Sequence, residues 1–105
     1  MSELPAGVGI ERIFVVEGHY ASDAAARRPP VRSEHLARVA EGLRAGRVVA
    51  AGGLEDLSRS LLLLRAADEA AARAWAQADV YIRSGVWSSV EILPFGLVRI
   101  DAEAR

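Results

Sequence analysis

The apolar residues of this chain change their spacing in a set order, and that order restricts the fold more than any other feature. Residues 12–18, "RIFVVEG", are β-branched and aromatic and end at glycine, which reads as a strand. From Ser33 the period becomes helical: Leu36, Val39, Ala40 and Leu43 fall at i, i+3, i+4 and i+7, while Glu34, Arg38, Glu41 and Arg44 lie off that face. Ser33 reads as the N-cap and Gly46 as the stop. Short strands follow at 47–51 and 60–65, joined through Gly52-Gly53 and a turn at 55–59. A second helix reads from 68 to 78, an irregular piece from 80 to 87, and a last strand from 89 to 100, with Pro94 marking a bulge or an edge. Residues 1–11 read as a flexible leader and 12–105 as a single domain. Residues 19–30, with Pro29 and Pro30, read as a loop.

The resulting order, βαββαβ, predicts an α+β, ferredoxin-like fold, an antiparallel sheet with its helices on one face. The other face should then alternate cleanly with polar residues. It does not, because "IFVV" at 13–16 and "LLLL" at 61–64 put large apolar groups on both sides. A chain of this length buries only about two-thirds of its surface. An uncovered apolar face, at roughly 25 cal/mol per Å², drives association. A homodimer through the sheet face is expected.

Composition removes several function classes. Net charge is −1, with 13 arginines and no lysine, and no basic stripe that would suit nucleic acid. There are no cysteines, so thiolate metal sites, disulfides and a cysteine nucleophile are out. The N-terminal segment lacks the pattern of a signal peptide, and no apolar run reaches the ~20 residues of a membrane helix. A cytoplasmic location is expected.

Two residues stand against local rules. His35 sits early in its helix beside the apolar stripe, and Asp79 follows a helix whose C-terminal dipole repels a carboxylate. A site in which the two meet accounts for both. On these grounds alone, a boundary histidine and an exposed aspartate are the better account. His19 reads as loop surface, and neither histidine has a second ligand at i+3 or i+4, so a metal site is not expected. Gly52-Gly53 reads as a turn needing positive φ, without any phosphate-loop pattern. Trp75 and Trp87 read as core and interface anchors.

The ordered set Arg32-x-x-His35-Leu36, Gly46…Gly52, "AWAQADVYIRSGV" at 74–86 and Pro94-Phe95 resembles the YCII-related (YciI-like) family of the dimeric α/β-barrel superfamily. The resemblance runs from about Arg12 to Ile100, with Val80 where the family pattern has proline. It implies a barrel built across a dimer and a pocket holding a His35–Asp79 pair. A proton-transfer enzyme follows as an expectation, with His35 and Asp79 catalytic and no cofactor. Arg32, Tyr81, Gly52 and Ser60 would face a small cyclic or anionic substrate. The superfamily contains isomerases, lyases, dehalogenating enzymes and oxygenases. The competing expectation is a non-catalytic metabolite-binding or interaction module on the same dimer.

Overall fold

The computed structural model describes residues 3–101. Its elements are β1 (Val8–Tyr20), α1 (Ala24–Arg27), α2 (Pro29–Ala45), β2 (Val48–Gly53), β3 (Arg59–Leu64), α3 (Glu69–Gln77), α4 (Val80–Arg83) and β4 (Trp87–Ile100). The βαββαβ order holds, with one-turn helices added before α2 and after α3. All neighbouring strands are antiparallel, in the order β2-β3-β1-β4, which is the ferredoxin-like arrangement. No helix among the described residues is long and apolar enough to cross a membrane.

Several boundaries differ from the sequence reading. β1 begins at Val8, and residues 8–11 pair with Leu97–Ile100, so part of the expected leader is strand. Residues 1 and 2 of that leader lie outside the described residues. α2 begins at Pro29 rather than Ser33. Both prolines fit the first turn, where their missing N–H groups have no intrahelical partner to lose and their fixed φ already suits the helix. Gly46 does end α2, at φ 79°. Gly52 and Gly53 form no turn: they lie in β2, without positive φ. The turn's left-handed residue is Leu57, at φ 58°.

Alternation along the strands separates two faces. Phe14 and Val16 of β1, Leu62 and Leu64 of β3, and Val90 and Ile92 of β4 are buried with Val39, Ala72, Ala76 and Tyr81 of the helices. The stripe expected to bury α2 is not the one that does. His35, Val39 and Gly42 are buried, whereas Leu36 and Leu43 are 44% and 45% exposed. Gly42 explains the rotation, because a Cβ there would lie 2.5 Å from Val48 Cγ2. The helix rests on β2 through its smallest residue, which a hydrophobicity pattern does not register.

On the opposite face Leu61, Leu93 and Phe95 remain 45%, 44% and 37% exposed. Pro94 lies in β4, an edge strand, where a missing N–H is tolerated; the register shift falls instead between His19 and Tyr20. β1 and β4 also run past β3 as a two-stranded ribbon, which accounts for a long axis of 49 Å against 28 and 27 Å across.

Candidate active site

Asp79 is not the last residue of α3. Gln77 ends that helix with Ala78 as its C-cap, and Asp79, with extended φ −72° and ψ 144°, is the N-cap of α4, accepting from the Tyr81 backbone N–H at 2.9 Å. The placement that looked unfavourable is one that a carboxylate prefers. Val80 then occupies the first position of α4, where proline fits as well.

The same carboxylate reaches across to α2. His35 Nδ1 lies 2.9 Å from Asp79 Oδ1, with Asp79 fully buried and His35 9% exposed. Arg38 donates to Asp79 Oδ2 at 3.1 Å. Burial pushes the Asp79 carboxyl up, but hydrogen bonds from His35, the Tyr81 N–H and Arg38, with the charge of His35, outweigh it and hold it below the ordinary carboxylate range. An ionised carboxylate only accepts, so Nδ1 carries the hydrogen of this bond, and a neutral ring then presents Nε2 as an acceptor.

Aromatic rings fix the imidazole from two sides. Tyr81 stacks on it at 3.8 Å between centroids and 9° between planes, and Trp87 meets it edge-on at 5.3 Å and 83°. Trp87 lies over Gly18, where a Cβ would come 2.4 Å from its Cε2. Its indole Nε1 is the one buried side-chain polar atom among the described residues with no hydrogen-bond partner. Burial pushes the Tyr81 hydroxyl up and Tyr20 adds to it, against the pull of Arg28 and Arg32, so Tyr81 stays a neutral phenol.

These groups line a cavity of about 450 Å³ between α2, α4 and the β2–β3 hairpin. His35, Tyr81 and Trp87 form its aromatic side, Arg28 and Arg32 its cationic side, and Gly52, Ser60 and Leu62 the wall across from them. Of the residues expected at the site, His35, Arg32, Tyr81, Gly52 and Ser60 line this cavity, and Asp79 stands behind the imidazole. Ser60 is buried in the wall, whereas Ser58 is used locally, bonding Asp56 within the turn. Neither Arg28 nor Arg32 takes part in an ion pair among the described residues. His35 itself lies nearly two turns into α2, because the helix starts at Pro29.

Arg38, off the expected apolar face of α2, is part of the site. Besides bonding Asp79, it donates to the Trp75 carbonyl at 2.6 Å and lies 3.9 Å over the Trp75 ring. Tyr20, Arg28 and Trp87 were also missed as cavity residues. A signal existed for Arg28: with Arg32 and His35 it follows i, i+4, i+7 spacing, hidden while Pro29 and Pro30 were read as loop.

The family model of the YCII-related domain matches residues 13–96. The protein YciI of Escherichia coli O6:H1 is 30% identical over 93 residues, covering 79% of this chain and 95% of its own length. YciI of Shigella flexneri matches over the same extent with the same identity.

Proposed function

As the chain belongs to the YCII-related domain family, we propose that it is a small-molecule enzyme in which His35, oriented by Asp79, moves a proton on a small cyclic or anionic metabolite. The observation that carries this reading is the 2.9 Å bond between a buried carboxylate and an imidazole that lines an open cavity. Asp79 holds the ring in one tautomer and stabilises the cation formed when Nε2 takes a proton. A carbon acid next to a carbonyl, set against Nε2, would lose its proton to the ring. The electron pair would move onto the carbonyl oxygen, and the proton would return at another carbon, or a β-leaving group would depart. Such a step needs no cofactor and is worth about 10²–10⁴-fold in rate. Arg28 and Arg32 supply forked donors for a carboxylate or phenolate. Enolisable ring compounds and lactones fit this chemistry.

The reading includes a homodimer in the cytoplasm. Exposed Leu61, Leu93 and Phe95 support it, together with Ile10, Val98 and Ile100 on the β1–β4 ribbon at 48%, 65% and 76% exposure. Light scattering of the purified chain should give twice the monomer mass, and Leu93→Asp should lower it. A monomeric wild type removes the dimer.

A second reading, a non-catalytic binding module, draws on the structural duties of Asp79, which caps α4 and binds Arg38 whether or not chemistry follows. The deciding experiment screens ring ketones, lactones and their carboxylate analogues by thermal shift. Deuterium uptake at the α-carbon of each binder is then followed by NMR in D2O. The enzyme reading expects exchange that His35→Ala slows about 10²–10⁴-fold. Binders that never exchange, or that exchange equally with the variant, leave the module.

A further inference from the structure

On the sheet face turned away from His35, Glu17 and Glu91 are direct partners across β1 and β4. Carboxylates placed opposite each other in a ladder repel, so this pair calls for a cation. His19, two residues along β1 on the same face, has its Nε2 3.1 Å from Glu17 Oε1 and 2.9 Å from Glu91 Oε1. The three donor atoms lie within 4.8 Å of one another. Arg59, the partner of His19 on β3, binds the other Glu17 oxygen, Oε2, at 3.1 Å. The Glu17 side chain is only 13% exposed.

We infer that Glu17, His19 and Glu91 form a binding site for a divalent transition-metal ion of the zinc class. One imidazole nitrogen and two carboxylate oxygens are a donor set that zinc takes, whereas magnesium and calcium prefer oxygen alone. Tetrahedral bonds of ~2.0–2.1 Å place neighbouring donors ~3.3–3.4 Å apart. The observed 2.9 and 3.1 Å contacts therefore need to open by only a few tenths of an ångström. Arg59 holds Glu17 so that Oε1 faces the centre, the role of an outer partner that aims a ligand. Its positive charge also weakens the pull on the ion, so affinity rests on the imidazole. Water would complete the fourth position.

The test is calorimetric titration of the whole chain with zinc chloride in a non-chelating buffer near neutral pH, with magnesium chloride in parallel. Circular dichroism checks that each variant is folded. One zinc per chain is expected, with a raised melting temperature and no response to magnesium. His19→Ala and the shape-preserving Glu91→Gln should each weaken zinc binding about tenfold or more, while His35→Ala should not. The proposal falls if wild type shows no saturable zinc binding. It falls equally if both cluster variants bind as wild type does, or if the binding disappears with His35 instead.

Discussion

Arg38 and Asp79 lie 3.1 Å apart, and the guanidinium occupies the carboxylate oxygen that His35 leaves free. One buried anion is thus shared by an imidazole, a guanidinium and the first turn of α4. The site and the local fold depend on the same atoms.

Replacing Arg38 by Met keeps the length of the side chain and removes its bonds to Asp79 and to the Trp75 carbonyl. A loss of about 2–3 kcal/mol in urea unfolding is expected, since both acceptors are left short of a donor. An unchanged midpoint would mean that His35 and Tyr81 alone satisfy the carboxylate.

Asp79 makes stability depend on acid. Its folded pKa lies below the unfolded one, so its contribution is present above the ordinary value of ~3.9 and is lost as pH falls through the folded value. Asp79→Asn should cost about 3 kcal/mol near neutral pH, as removal of one member of a buried pair does. Below about pH 4 the gap between the two proteins should narrow, because only wild type has that proton to gain. Parallel stability curves across the acid range would contradict this assignment.

Gly18 makes room for Trp87 against the sheet, and a methyl group at 18 would overlap the indole. Gly18→Ala should destabilise by about 1–3 kcal/mol, the usual cost of overpacking. It should also change the tryptophan fluorescence, since the indole must leave its place beside His35. A variant matching wild type in both would show that the ring has slack here.

Val80→Pro should be tolerated. The Val80 N–H occupies the first position of α4, where no intrahelical acceptor exists, and Asp79 already has the extended backbone that a following proline demands. A gain of up to about 1 kcal/mol is expected from the stiffer unfolded chain, read as a higher melting temperature. A clear loss would show that the buried valine side chain outweighs it.

The element order, the ferredoxin-like topology and the stop at Gly46 could be read from the chain, while the contact between His35 and Asp79 was implied only by the family resemblance. Spacing and residue type are local properties, and a family pattern keeps its residues in order along the sequence. What could not be read was direction. Period alone does not say which stripe of α2 is turned inward, and the answer came from Gly42 resting on Val48, two residues of different elements. The meaning of Asp79 changed for a similar reason, since one turn of helix beyond it made a misplaced carboxylate into a cap. Arg38 and His19 were read as surface because their partners are 41 and 72 residues away, on elements whose registry only the folded sheet and its helices define.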